Sequence, residues 1–338
     1  MTALTTCKLV SQDHFIASSL VEGLKIRVRE RFAEPLDRSA NHNTPILMVH
    51  GATVSSLLWD HPLPDWSWMN RFAMDGFHVY ALDIRGYGGS TRPIEMEAAN
   101  PEVFPPYACA EDVQQDIEDV ISFITRRHQT DRVDLLGGSW GSMTCGLFAS
   151  TQRASMVRRL VLYAPIYDEG HTKTSWWHGA VDPNNQDSVN PKLGAYRWVT
   201  REGLISRWDE EIPFEDKSAW RSNEVFDALF SACVQEDAAA GSQKSKAFRA
   251  PNGTLVDLFG AYTGHPVFKA KNITVPTLLI RGDHDETSSR IGALKLFDEL
   301  ASQQKVYVEV GNGAHFVILE NQAPKVHQAV VSFLAEND

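Results

Sequence analysis

The chain has 338 residues, 43% of them apolar, and a formal net charge of −11, so it can bury a sizeable core and would be repelled by nucleic acid and by anionic membranes. Its four cysteines, Cys7, Cys109, Cys145 and Cys233, lie far apart with no Cys-x-x-Cys, which reads as isolated reduced thiols and excludes a disulfide framework. Residues 1–20 carry no basic segment followed by an apolar run, and no window approaches the roughly 20 apolar residues of a membrane span, so a cytoplasmic location is expected.

Along the chain, Leu24, Ile26 and Val28 alternate with Lys25, Arg27 and Arg29, the period-two pattern of a half-exposed strand, and antiparallel edge strands are expected there. After a polar loop, Pro45-Ile46-Leu47-Met48-Val49 is a continuous apolar run typical of a parallel strand covered on both faces. His50-Gly51-Ala52-Thr53 follows, and a glycine at a strand's C-terminal edge lets the backbone turn an amide over the sheet. The His50 side chain itself is expected to pack or hydrogen-bond within that turn. A strand over 77–82 leads into Asp83-Ile84-Arg85-Gly86-Tyr87-Gly88-Gly89-Ser90, where Asp83 and Arg85 are expected to brace a glycine-rich turn. Val113, Ile117, Val120, Ile121 and Ile124 recur at helical spacing, with acids before them and Arg126 and Arg127 after, matching the helix dipole.

That helix delivers the chain to Val133-Asp134-Leu135-Leu136-Gly137-Gly138-Ser139-Trp140-Gly141-Ser142-Met143. A Gly-x-Ser-x-Gly pentapeptide occurs in many ordinary loops, but here an apolar strand precedes it and a helical Met143, Leu147, Phe148 pattern follows, as a nucleophile elbow requires. Gly137 and Gly141 leave room for a strained reversal that lifts Ser139 to the top of the sheet. The backbone N–H of Trp140, at a helix N-terminus, becomes one oxyanion donor and that of Ala52 the second.

After a strand at 160–163 the strand–helix alternation stops from Pro165 to about Val267. This divides the chain into a core of residues 1–164 and 268–338 and an inserted cap, 165–267. Five of the nine tryptophans fall in the cap; Trp176, Trp177, Trp198 and Trp208 are candidates to line a substrate pocket, the alternative being that they form the cap's own small core. Asp209, Glu210 and Glu211 read as a solvated acidic face. The alternation resumes with a strand at 275–280, the acidic turn Asp283-His284-Asp285-Glu286, a helix through Leu296, a strand at 306–310, Gly313-Ala314-His315, and a last helix burying Val326, Val330, Phe333 and Leu334. Strand and helix in this order give an α/β fold with a mostly parallel sheet and helices on both faces.

In open parallel sheets the reacting groups collect at the C-terminal strand edges, where Ser139, the acidic turn and His315 all fall. A serine hydroxyl is a poor nucleophile until an imidazole takes its proton, and a carboxylate must hold that imidazole in the right tautomer. His315 is the expected base and Asp285 its orienting acid, with Asp283 the competitor. No pair of the twelve histidines has ligand spacing, so neither a metal nor another cofactor is expected.

These residues make the chain resemble the α/β-hydrolase superfamily from about Val28 to the C-terminus, with a helical cap inserted after the sixth strand. The resemblance rests on His50-Gly51, the Asp83-x-Arg85-Gly86-x-Gly88-x-Ser90 turn, the elbow at Ser139, Gly282-x-x-Asp285 and His315, and it too implies Asp285 as the acid. The stretch Gly137-Gly138-Ser139-Trp140-Gly141-Ser142 is similar to the elbow of prolyl iminopeptidases, which carry His-Gly-Gly-Pro-Gly where this chain has His50-Gly51-Ala52-Thr53-Val54. Such enzymes hold the substrate amine with lid carboxylates, for which Asp209, Glu210 and Glu211 are the ones at hand. A serine at the elbow, rather than aspartate, argues against the alkyl-ester chemistry of haloalkane dehalogenases and epoxide hydrolases. The expectation is a monomeric or homodimeric serine hydrolase cleaving an ester or lactone of a medium-sized apolar small molecule. An aminopeptidase or amidase, an acyltransferase, and a ligand-binding receptor on the same scaffold are the alternatives.

Overall fold

A computed structural model describes residues 7–34, 44–170, 179–242 and 246–336. Its centre is an eight-stranded sheet built from β1 (Lys8–Ala17), β2 (Lys25–Glu34), β3 (Ile46–Val49), β4 (Val79–Leu82), β5 (Val133–Gly138) and β6 (Val157–Tyr163). Four short strands then lie outside it: β7 (Val181–Asp182), β8 (Asn185–Val189), β9 (Tyr196–Thr200) and β10 (Ala247–Pro251). β11 (Thr277–Gly282) and β12 (Lys305–Val310) complete it, in the order β1-β2-β4-β3-β5-β6-β11-β12.

The sequence explains this layering. β3, β4 and β5 are fully buried and, apart from Asp134, which Arg158 pairs, apolar, as strands covered on both faces must be, and β3 pairs in parallel with both β4 and β5. β2 alternates buried and partly exposed residues, and with β1 it forms the antiparallel edge expected from its period-two pattern. The crossover helix spans Gln114–His128 and buries Ile117, Val120, Ile121 and Ile124. The last helix, Ala323–Ala335, buries the four expected residues. In the helix Arg290–Glu299, Ala293 and Leu296 reach the core, whereas Ile291 is exposed.

Between β6 and β11 the chain carries the helices Arg201–Asp209, Asn223–Glu236 and Gly253–Tyr262 together with two small antiparallel sheets, β7–β8 and β9–β10. This segment is therefore part strand as well as helix. It is fastened to the core by buried carboxylates. Glu320 accepts hydrogen bonds from the indoles of Trp208 (3.0 Å) and Trp220 (2.7 Å) and from the Ala314 N–H (2.9 Å). Asp257 accepts from the Trp140 indole and the Ala110 N–H, both at 2.7 Å. Among the described residues no helix is long and apolar enough to cross a membrane, and the four cysteines are unpaired.

Candidate active site

β3 and β5 are neighbours, and the register that sets Val49 beside Gly137 brings the turns that follow them side by side. Ser139 has φ 57° and ψ −122°, a region side-chain-bearing residues rarely occupy. The neighbours show why glycine flanks it. A Cβ on Gly137 would lie 2.2 Å from the Gly141 carbonyl oxygen, and one on Gly141 would lie 2.5 Å from the carbonyl oxygens of both Val49 and His50. Gly51 also lies against Ser139, at 3.1 Å from its Cβ if it had one of its own. The elbow helix Trp140–Ala149 begins at once, so the Trp140 N–H has no intrahelical acceptor. Among the described residues neither it nor the Ala52 N–H donates a hydrogen bond.

Ser139, His315 and Asp285 form one hydrogen-bonded chain. His315 Nε2 is 2.9 Å from Ser139 Oγ, and His315 Nδ1 is 2.9 Å from Asp285 Oδ1. Burial on its own would raise the Asp285 carboxyl, but His315 and Arg281 outweigh it and hold the group below its ordinary value. The Ser288 N–H donates to the same oxygen at 2.8 Å, so Asp285 stays ionised and fixed. Asp283 faces elsewhere, towards His284 (2.8 Å) and the Gly313 N–H (3.1 Å). The Tyr163 hydroxyl donates to the His315 carbonyl and steadies the loop.

The turns around this chain are structural. His50 is fully buried; desolvation pushes its imidazole down to about 4, and Nε2 accepts the Ile84 N–H at 3.0 Å. It is a neutral strut between two turns. Asp83 accepts from the Ser56 and Gly89 N–H groups and pairs with Arg27, whereas Arg85 makes a bidentate bond to Asp116 at 2.7 Å. The two residues brace the region through separate partners.

A cavity of about 50 Å³ opens onto Ser139, with Val54, Leu58, Tyr163 and Phe316 as its apolar walls and Arg207 at its rim. An adjoining groove of about 190 Å³ shares Thr53 and Arg207 with it and is lined further by Arg197, Trp198 and Thr200. Of the proposed pocket tryptophans, Trp198 is in this groove. Trp208 is not in the lining of either space; it is buried, stacked on Phe316 at 4.8 Å and bonded to Glu320. Trp176 and Trp177 lie outside the described residues.

Of the acidic run, Glu210 is exposed as a solvated face requires, but Asp209 and Glu211 are not. Glu211 is buried, accepting from the Thr287 N–H at 3.0 Å and from Arg207 at 3.1 Å, and Asp209 pairs with Arg221 at 2.7 Å. Glu211 thereby joins Asp285 and His315 in one of two clusters, among the described residues, whose potential ligand atoms lie within 4.8 Å of one another. The other, Glu30, His78 and His128, has the Tyr80 hydroxyl in its midst, 2.7 Å from Glu30 and 2.8 Å from His128. In both, the ring nitrogens facing the cluster are already engaged in hydrogen bonds.

An apolar parallel sheet, a strained serine at the end of its fifth strand and a Ser–His–Asp chain at its C-terminal edge define the class, and a family model described as the alpha/beta hydrolase fold matches residues 44–322. The chain belongs to this family, and so to a class of hydrolytic enzymes. It is 25% identical over 298 residues to Epoxide hydrolase 3 of Xenopus tropicalis, covering 87% of this chain and 72% of that protein. Among solved structures, a thermophilic esterase from Thermogutta terrifontis with malate bound superposes with a TM-score of 0.62 at 17% identity, covering 96% of this chain and 98% of that one. An esterase from Exiguobacterium antarcticum gives a TM-score of 0.62 at 17% identity, covering 96% and 100%.

Proposed function

We propose that the protein is a serine hydrolase that cleaves a carboxylic ester or lactone through an acyl-enzyme. The observation that carries this reading is the unbroken chain from Ser139 Oγ through His315 to Asp285, both links 2.9 Å. Ser139 Oγ attacks the carbonyl carbon while its proton passes to His315 Nε2. Asp285 keeps Nδ1 protonated and stabilises the imidazolium, and the Ala52 and Trp140 N–H groups receive the oxyanion. The proton then goes to the departing alkoxide, which in a lactone stays tethered to the acyl group. Water, deprotonated by His315, releases the acid and restores Ser139.

Val54, Leu58, Tyr163 and Phe316 suit an apolar acyl or alcohol portion beside the serine, with the rest of the molecule in the adjoining groove. Two neighbouring activities fit the site less well. An aminopeptidase needs an anion for the substrate amine, but the rim residue is Arg207, and Glu211 and Asp209 are already bonded to Thr287, Arg207 and Arg221. Alkyl-ester chemistry of the kind expected of epoxide hydrolases needs a carboxylate at the elbow, which Ser139 does not supply.

A panel of 4-nitrophenyl esters of rising chain length, an aryl lactone and proline 4-nitroanilide tests the reading against Ser139→Ala. Ester or lactone turnover that disappears in the variant is expected. Turnover confined to the proline substrate, or ester turnover that survives in Ser139→Ala, would overturn it.

A further inference from the structure

Arg197 reaches from β9 in the inserted segment down to the turn that follows β3. Its Nη2 donates to the Ala52 carbonyl at 2.9 Å and lies 3.3 Å from Thr53 Oγ1. Nη1 donates to the Pro251 carbonyl at 2.8 Å and to Asn252 Oδ1 at 3.3 Å. All four acceptors are neutral, and among the described residues no carboxylate pairs with this guanidinium. Arg85, Arg249 and Arg221 by contrast have Asp116, Asp237 and Asp209, whereas Arg92, which among the described residues meets only the carbonyls of Gly88 and Glu236, lines no space beside Ser139. Burial accordingly pushes Arg197 below its ordinary value, with only Tyr87 working the other way. Arg197 is partly buried, and a partly buried cation without a counter-charge is favourably met by an anionic ligand.

The surroundings show where such an anion would sit. Arg197 lines the groove of about 190 Å³ that adjoins the Ser139 cavity. Arg207, paired with Glu211, borders both spaces, and Thr200, which caps the helix Arg201–Asp209 by accepting the Gly203 N–H, lines the same groove with Gly203. A helix start adds positive potential in the same direction. Glu202, the acid of that turn, is exposed and outside the groove lining. Trp198 supplies an apolar wall.

We propose that this groove binds a carboxylate carried by the substrate, so that the molecule hydrolysed is an acid-bearing ester or lactone, its anion against Arg197 and its scissile carbonyl over Ser139. The inference rests on the serine-hydrolase reading and names the substrate class for that site. It also makes Arg197 the residue through which the inserted segment sets specificity, since the same guanidinium holds the carbonyl of Ala52.

Two matched pairs of esters test it. In one, 4-nitrophenyl hexanoate is compared with the mono-4-nitrophenyl ester of adipic acid, which places a carboxylate on the acyl side. In the other, phenyl acetate is compared with 4-(carboxymethyl)phenyl acetate, which places it on the leaving group. In at least one pair the acid-bearing ester is expected to have the higher kcat/KM, by about tenfold or more for a charge-assisted contact. Added salt should shrink that ratio. In Arg197→Gln the ratio should collapse towards one, the acid-bearing ester losing more than its neutral partner. A preference for the neutral ester in both pairs, or a ratio untouched by Arg197→Gln, would overturn the proposal. Should that variant fail to fold, inhibition of the wild type decides. Adipate competing where adipamide does not supports the carboxylate site, and equal inhibition by both removes it. Turnover of neutral esters that depends on Ser139, without any acid preference, removes this inference alone. Absence of any Ser139-dependent turnover removes the serine-hydrolase reading with it.

Discussion

At Ser139 the backbone is held at φ 57° and ψ −122°, a conformation that costs a side-chain-bearing residue on the order of 1–3 kcal/mol. Glycine occupies it freely. Ser139→Gly should therefore unfold at higher urea than Ser139→Ala, by about 1 kcal/mol, and equal stabilities would show that no strain is stored there. Both variants should lose about 10⁴-fold or more in kcat on esters. Ser139 and His315 were legible in the sequence because each stands in a small-residue turn directly after an apolar strand. Preferring Asp285 to Asp283 took a further step; Asp285 touches His315, whereas Asp283 touches His284 and the Gly313 N–H. Arg197 and Glu211 carried no local signal, since their partners Ala52 and Thr287 lie 145 and 76 residues away in the chain.

The turn after β4 and the crossover helix are joined by Arg85 and Asp116, both buried and linked by two 2.7 Å bonds. Removing one partner leaves the other charge uncompensated, so Arg85→Met should lower the unfolding free energy by about 3–5 kcal/mol. A loss below 1 kcal/mol in urea titration would show the pair to be incidental. The helix and strands of the core were readable from periodicity because each is long or wholly apolar, and their ends move by only a few residues. Two kinds of element escaped. The helix Trp68–Met74 is barely two turns long, too short for its period to register. The β9–β10 pair joins Thr200 to Ala247 with the helices Arg201–Asp209 and Asn223–Glu236 between them, so no hairpin turn announces it.

Over the whole molecule, the inserted segment and core are joined through acids whose protonation matters. Burial raises Glu320, Asp257 and Glu169 to about 7. A carboxyl raised on folding contributes stability that is complete below its unfolded value near 4 and is lost as pH rises through about 7. At about 1.4 kcal/mol per unit, each group accounts for roughly 4 kcal/mol at most. Asp285, held low, acts in the opposite sense only in acid, whereas the buried His50 and His128, pushed down from 6.5 to about 4, act in the opposite sense until pH passes 6.5. Above pH 6.5 the carboxyls act without the histidines, so the urea midpoint should fall from there to about pH 8, and a midpoint that rises across that range would contradict the assignment. The most direct test of the account is to treat the folded protein with a fluorophosphonate ester and map the adduct by peptide mass spectrometry. Stoichiometric phosphonylation of Ser139, with parallel loss of ester turnover and no labelling of Ser139→Ala, is the predicted result. A folded protein left unlabelled at Ser139 while ester hydrolysis continues would contradict it.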